Sequence, residues 1–165
     1  MNHIIITFIG PDRPGLVDTL SNVIEKNHGN WQTSSLHHLS GFFAGVVEIS
    51  TGKQHANALI SALEAIPDLK TQIETAKPAN ENDTADVVLE LTANDRAGIV
   101  QEISSVIHQQ GGNLLKLVST QESAPHSGQT MFKAKAQVSV NEKDIDELIA
   151  SLENIADDLM VDISR

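Results

Sequence analysis

The chain has 165 residues, of which 40% are hydrophobic and only 3% aromatic, and it carries a formal net charge of -11. This length allows one ordinary domain or two small ones with aliphatic cores. Cysteine is absent, which excludes disulfides, thiolate metal sites and a cysteine nucleophile.

Charge and hydropathy patterning predict the compartment and the class of partner. The first apolar run has no basic leader before it and stops at Gly10, and no stretch approaches the roughly 18 apolar residues of a spanning helix. We therefore expect a cytoplasmic protein without membrane contact. The acidic chain has no cluster of Lys and Arg that would neutralise phosphates, so direct binding of nucleic acid is not expected.

The first half of the chain alternates strand and helix patterns. Residues 4–9, IIITFI, are strand-like, and the segment GPDRPGLV at 10–17 then opens an amphipathic helix that ends at His-Gly-Asn. Further strands are predicted at NWQTSSLHHL and FFAGVVEIS. A second helix carries Leu59, Ile60, Leu63 and Ile66, and a last strand follows near 69–75.

The second half repeats this order. With an offset of 83 residues, nine of the nineteen positions from 12 to 30 are identical, including Asp12 with Asp95, Arg13 with Arg96 and Gly15 with Gly98. The offset becomes 89 at Phe43 and Phe132, so the second copy has about six extra residues, assigned to SAPHSG at 123–128. A gapless match of this length indicates duplication.

The order β-α-β-β-α-β, read twice, predicts an α+β fold of two tandem ferredoxin-like domains, with antiparallel sheets that carry helices on one face. The predicted boundaries are a first domain at 1–76, a linker at 77–84, which is polar and aperiodic, and a second domain at 85–165.

The repeated turn has two physical interpretations. Asp12 can cap the helix, Pro14 suits a first helical turn and Gly15 permits close approach, so the free helix-start amides can hold a carboxylate. Asp12 or Asn30 would then accept from an ammonium group. Alternatively, the same residues are only good turn and cap chemistry.

The arginine of each turn is equally ambiguous. Arg13 and Arg96 either face an anion or are solvated or paired with a carboxylate. The sequence leaves both pairs of alternatives open.

A strand followed by D-R-P-G-L-V and a helix that ends at Gly-Asn resembles the ACT domain, a small module that commonly binds amino acids. Two copies and nothing else at this length resemble the glycine cleavage system transcriptional repressor family. The resemblance implies side-by-side pairing of modules, a homo-oligomer, and a small amino acid such as glycine as ligand. It also implies regulation through a LysR-type transcriptional activator as protein partner.

The resemblance also implies which residues bind the ligand. They are the residues of the turn after the first strand in one module and the start of the second strand in its neighbour. The turn residues are Asp12, Arg13, Pro14, Gly15, Leu16 and Val17, and Asp95, Arg96, Gly98, Ile99 and Val100. The strand starts are Asn30 and Trp31, and Asn113 and Leu114. Ala97 departs from the motif, which favours Pro there.

No catalytic, metal or cofactor site is predicted. His37 and His38 should point to opposite faces of a strand, which disfavours chelation, and no nucleophile triad, phosphate loop or dinucleotide fingerprint is present. The chain is therefore predicted not to be an enzyme. An acylphosphatase-type enzyme, in which Arg13 and Asn30 would converge on an anion, and a purely structural interaction module are the alternatives.

Overall fold

A computed structural model describes residues 1–76, 85–124, 126 and 128–164. In the first unit the strands are β1 (Asn2–Pro11), β2 (Gly29–Leu39), β3 (Phe42–Thr51) and β4 (Lys70–Ala76). The helices are α1 (Leu16–Lys26) and α2 (Ala56–Glu64), and a short 3-10 turn at Lys53–His55 precedes α2.

The second unit repeats the order with β5 (Ala85–Asn94), α3 (Ile99–Gln109), β6 (Asn113–Ser123), β7 (Thr130–Val140), α4 (Ile145–Glu153) and β8 (Met160–Ser164). The two sheets have the orders β2-β3-β1-β4 and β6-β7-β5-β8, and every pairing is antiparallel. The predicted α+β fold of two βαββαβ repeats is confirmed.

The chain divides into the units Met1–Asn80 and Glu81–Arg165. This division falls inside the predicted linker at 77–84, and the linker itself lies outside the described residues. The boundaries of the linker therefore stay a prediction.

Each unit has its own aliphatic core between its sheet and its helices. In β1 the alternation of side chains sends Ile4, Ile6 and Phe8 inward, against Leu20 and Ile24 of α1. The second core is built in the same way, and its α3 contribution is Ile99, Ile103 and Ile107. The 3.6-residue period predicted this buried face, but it also included Val17 and Val100, which are 40% and 41% exposed.

The change of offset from 83 to 89 lies in the β2–β3 connection and its counterpart. Leu39 pairs with Phe42 across the two-residue turn Ser40-Gly41, whereas Ser123 pairs with Thr130 across residues 124–129. Of the predicted insertion, Pro125 and Ser127 lie outside the described residues. The six extra residues add one strand pair and four loop residues to this hairpin, without shifting the register of the sheet.

His-Gly-Asn and Gly-Gly-Asn predict a left-handed glycine cap at the ends of the first helices, and the structure differs from this expectation after α1. The left-handed residue after α1 is His28, with φ 62°, whereas Gly111 takes this role after α3, with φ 77°. A Cβ on Gly29 would stand 2.9 Å from Cγ2 of Ile24. Gly29 is thus required for close packing rather than for a left-handed cap.

Candidate functional site

The duplicated turn is anchored by its backbone in the same way in both units. The amide of Asp12 donates to the carbonyl of Gly41 at 3.0 Å, and the amide of Asp95 donates to the carbonyl of Thr130 at 2.9 Å. Gly41 and Thr130 occupy matching places at the ends of their hairpins. Each turn is therefore held by the neighbouring hairpin of its own unit.

The aspartates of the turns do not cap the helices, so this prediction was wrong. Oδ2 of Asp12 lies 3.5 Å from Nε2 of His38, and Oδ2 of Asp95 accepts a hydrogen bond of 2.6 Å from Nε2 of Gln121. The N-cap residue is Gly15 in one unit and Gly98 in the other, and neither helix start has a side-chain cap. Each carboxylate turns to the strand beside it because the helix begins four residues after the aspartate.

Pro14 also lies outside the position that the sequence predicted. Because α1 begins at Leu16, Pro14 precedes the N-cap rather than occupying the first helical turn. Its fixed φ restricts the approach to Gly15 instead. The same position in the second unit is Ala97, and α3 begins there in the same register at Ile99.

The two N-cap glycines are required by their backbone conformation. Gly15 has φ 80° and Gly98 has φ 84°, in the left-handed region that other residues rarely adopt. A Cβ built on either glycine would meet no atom within 4 Å. Among the described residues, the space on this side of the helix start is therefore open.

The helix-start amides remain available for a ligand. The first helical bonds run from Thr19 to the carbonyl of Gly15 at 2.9 Å and from Glu102 to that of Gly98 at 3.0 Å. In α3 the amide of Ile99 donates weakly to the carbonyl of Arg96 at 3.4 Å. The amides of the second and third helical positions have no partner within the helix, which is the general state of an uncapped helix start.

A cavity of about 360 Å³ opens at this point in the second unit. Its walls come from the turn, from the first residues of α3, from the C-terminal end of β6 and from the start of β7. They are Asp95, Arg96, Gly98, Ile99, Val100, Gln101, Ser119, Thr120, Gln121 and Phe132. All five turn residues singled out in the second copy line this cavity, whose volume suits a small organic ligand.

Half of this wall was missed by the sequence analysis. Ser119, Thr120 and Gln121 come from the end of β6, and Phe132 from β7. The order β6-β7-β5 brings the end of β6 to the level of the turn after β5, since β6 and β5 both run antiparallel to β7. Applying the ferredoxin-like strand order to the predicted strands would have found these residues.

The predicted strand-start residues lie at the other end of each sheet. Asn30 pairs with Ser50, which pairs with His3, eight residues before Pro11 on β1 and thus roughly 27 Å from the turn. Trp31 and Leu114 pack against the cores of their units, and Asn113 pairs with Ser139. Within one unit these residues do not meet the turn. The expectation that they complete a site in a neighbouring module stays a prediction.

The two arginines of the turns have different surroundings. Arg96 forms a hydrogen-bonded ion pair with Glu102 in the first turn of α3. The bond to Arg96 lowers the pKa of Glu102, and the bond to Glu102 raises the pKa of Arg96. At the position of Glu102 the first unit has Thr19, and Arg13 forms no ion pair within the described residues. The charge on Arg96 is therefore compensated, whereas that on Arg13 is not.

The fold separates two other residue pairs that the sequence suggested as possible sites. His37 bonds to Ser35 at 3.2 Å on one face of β2, while His38 approaches Asp12 on the other. Arg13 and Asn30, the pair that an acylphosphatase-type site would need, belong to opposite ends of the first sheet. The first unit does not bring this pair together.

The fold and the duplicated turn define a pair of ferredoxin-like modules, each with an open helix start beside its sheet. Residues 2–74 match the ACT domain family. The match covers most of the first unit, and the second unit repeats the fold of the first.

Two solved structures share this architecture over nearly the whole chain. An unknown protein from Galdieria sulphuraria superposes with a TM-score of 0.82 at 24% identity, over 99% of this chain and 98% of that one. A protein described as a candidate glycine cleavage system transcriptional repressor gives a TM-score of 0.70 at 18% identity, over 99% and 96%. At these identities the likeness establishes the fold.

Comparison with curated proteins gives no match. Within the described residues, no helix combines the length and the apolar character needed to cross a bilayer.

Proposed function

We propose that this protein is an amino-acid-sensing regulator whose ligand binds at the turn between the first strand and the first helix of a module. The observation that carries the proposal is the cavity of about 360 Å³ at the uncapped start of α3. ACT modules are regulatory domains that commonly bind amino acids, and the chain has two of them.

The chemistry of the cavity suits a zwitterion. The amides of Val100 and Gln101, with the partial positive charge of the helix start, would bind a carboxylate. An ammonium group needs an anionic acceptor, and Asp95 at the same cavity supplies one. The hydroxyl group of Ser119 adds a polar contact on the strand side.

The two modules are proposed to bind with different strength. Arg13 has an uncompensated charge beside the first helix start, whereas the charge of Arg96 is already satisfied by Glu102. An anionic group would therefore gain more from the first turn than from the second. The partners Asp12–His38 and Asp95–Gln121 add a further chemical difference between the sites.

The regulated process is proposed to be transcription in glycine or one-carbon metabolism, with glycine as the favoured ligand. Support comes from the motif resemblance and from the fold shared with the candidate glycine cleavage repressor. A net charge of -11 favours action through a protein, proposed to be a LysR-type activator, over contact with phosphates. The working form is proposed to be a cytoplasmic homo-oligomer.

Isothermal titration with each common amino acid tests the proposal on protein that was unfolded, dialysed and refolded to remove bound ligand. The decisive variant is Gln101→Glu, which places a negative charge at the helix start and should abolish carboxylate binding there. An acidic residue at this position favours the helix, so lost binding cannot reflect unfolding. Gln109→Glu makes the same substitution at the other end of α3 and should leave binding unchanged.

The absence of heat with every amino acid would overturn the sensor proposal and favour a purely structural interaction module. An unchanged number of bound ligands per chain in Gln101→Glu would show that the start of α3 is not a ligand site. Release of phosphate from an acyl phosphate, measured on the same preparation, would instead support the acylphosphatase alternative.

A further inference from the structure

Two histidine rings stack on each other between the helices of the first unit. Their centroids lie 4.1 Å apart, with an interplanar angle of 30°. His28 follows the end of α1, and His55 is the N-cap residue of α2. The pair therefore joins the C-terminal end of one helix to the N-terminal end of the other. The length of α1, about 16 Å, separates the pair from the turn of the proposed ligand site.

His28 has a strained backbone conformation. Its φ of 62° lies in the left-handed region, where the second unit has Gly111 with φ 77°. A residue with a Cβ adopts this conformation at a cost in free energy. The hydroxyl group of Thr51, a residue only 2% exposed, donates to the carbonyl of His28 at 3.2 Å and supports the strained peptide. Strain that the surroundings enforce in this way is a reason to look for a function.

All three residues of this arrangement differ in the second unit. The corresponding residues are Gly111, Val140 and Asp144. Asp144 is the N-cap residue of α4, a position where an acid stabilises a helix and a cation does not. The same fold therefore forms without the histidine pair, and neither histidine is the residue that best stabilises its own position.

Within the described residues, no acid pairs with either ring. The charged groups on the segments that adjoin the pair are the ammonium group of Met1, Glu25, Lys26 and Lys53. None of them forms an ion pair with a histidine of the stack, and the first turn of α2 has no acid. Glu48 and His3 bond to each other on the opposite face of the sheet. The two rings therefore interact with each other and with water.

We propose that the stack of His28 and His55, which we call the histidine latch, is an acid-sensitive contact between α1 and α2. A neutral imidazole stacks on a second imidazole or on one imidazolium, because an aromatic face attracts a cation. Two imidazolium rings repel each other, and at about 4 Å the first charge weakens binding of the second proton about fivefold even in bulk water. A charge on His55 also faces the positive end of α2. The latch is therefore closed with one proton or none, and it opens with two.

Opening of the latch loosens one end of the first unit in acid. With the latch closed, the folded chain binds fewer protons than the unfolded chain, so the contribution of this contact to stability falls as the pH falls. The segments released are the end of α1 and the start of β2, since His28 lies between them. The latch does not involve the turn at 12–17, so its failure would leave the proposed function untouched.

The fluorescence of Trp31 tests the opening when the full chain is titrated from about pH 8 to about pH 5, where histidine takes up its proton. Trp31 is the single tryptophan, it lies shortly after His28, and it packs against the core of the first unit. Its emission should shift reversibly to longer wavelength as acid opens the latch. His28→Gly, which copies the second unit, should abolish this shift. The matched control His37→Thr copies Thr120 of the second unit and should leave the shift unchanged.

Nuclear magnetic resonance of the ring protons tests the coupling between the two histidines. In the wild type, the signals of His28 and His55 should titrate in two coupled steps. In His28→Gly, His55 should bind its proton at least about fivefold more tightly than the wild type binds its second proton. Equal binding would show that the rings do not sense each other and would overturn the proposal. So would constant Trp31 emission in the wild type, or a shift that survives in His28→Gly.

Discussion

The side-chain amide of Gln121 donates a 2.6 Å hydrogen bond to the carboxylate of Asp95. The same contact in the first unit joins His38 to Asp12 at 3.5 Å. These positions correspond through the offset of 83 residues, so two different side chains hold the same aspartate in the two copies. The side-chain amide of Gln is always a hydrogen-bond donor. A ring nitrogen of His donates only in the tautomer or the protonation state in which it carries a hydrogen.

Replacing Gln121 with Ala should loosen the turn of the second unit. The pair is largely exposed, so the expected loss of unfolding free energy is only about 0.5–1 kcal/mol. Exchange of the amide hydrogens at 95–98 should accelerate, and Gln121→His, which copies the first unit, should restore most of the protection. Unchanged exchange in Gln121→Ala would show that the bond to Thr130 alone holds the turn.

Gly98→Ala should destabilise the second unit although the new methyl group has free space. The cause is the left-handed φ of 84°, which costs a residue with a Cβ about 1–2 kcal/mol. Gly98→Asn should lose less, because Asn tolerates this conformation better. Urea unfolding compares the variants, and equal losses for Ala and Asn would contradict a conformational origin.

Glu102→Gln should remove a pH-dependent part of the stability of the second unit. The bond from Arg96 lowers the pKa of Glu102, so its stabilising contribution is present above the unfolded-state pKa. This contribution is lost as the pH falls through the lowered folded-state pKa. Thermal unfolding should therefore show a small deficit of the variant at neutral pH that closes in acid. The deficit must be small because the pair is exposed, and a gap that widens in acid would contradict the assignment.

Leu20→Ala and Ile103→Ala remove matching side chains from the two cores. Leu20 is fully buried and Ile103 is 1% exposed, so each truncation should cost about 2–5 kcal/mol. Hydrogen exchange should show the loss mainly in the unit that carries the variant, because each core is made of residues of one unit. Equal loss of protection in both units would indicate cooperative unfolding of the whole chain.

Periodicity and the internal repeat were sufficient to predict the architecture. The apolar spacing of α1 and the alternation of β7 each reflect one buried face, so local patterns determined element type and order. The duplicated Asp-Arg-x-Gly also located the turn that lines the cavity of the second unit. These features depend on residues close in sequence, which a pattern can reveal.

The cap residues and the remaining cavity wall could not be predicted in the same way. The identity of the N-cap depends on φ at Gly15 and Gly98, and nothing local distinguishes it from an aspartate three residues earlier. Ser119 and Gln121 reach the cavity only through the order of strands in the sheet. The ion pair between Arg96 and Glu102 depends on side-chain conformation. The sequence therefore left open whether Arg96 faces an anion or is solvated or paired with a carboxylate.

The backbone hydrogen bond that joins each turn to its hairpin, which we call the tether, has an evolutionary consequence. Asp12 and Asp95 each bond to a main-chain carbonyl, which any residue supplies, so selection on the tether does not restrict side chains at Gly41 or Thr130. One hairpin closes in two residues and the other in six, yet both offer that oxygen at the same place. The hairpin tip is thus free to lengthen, and a peptide tag or fluorophore grafted between Ala124 and Gln129 should leave the adjoining turn intact.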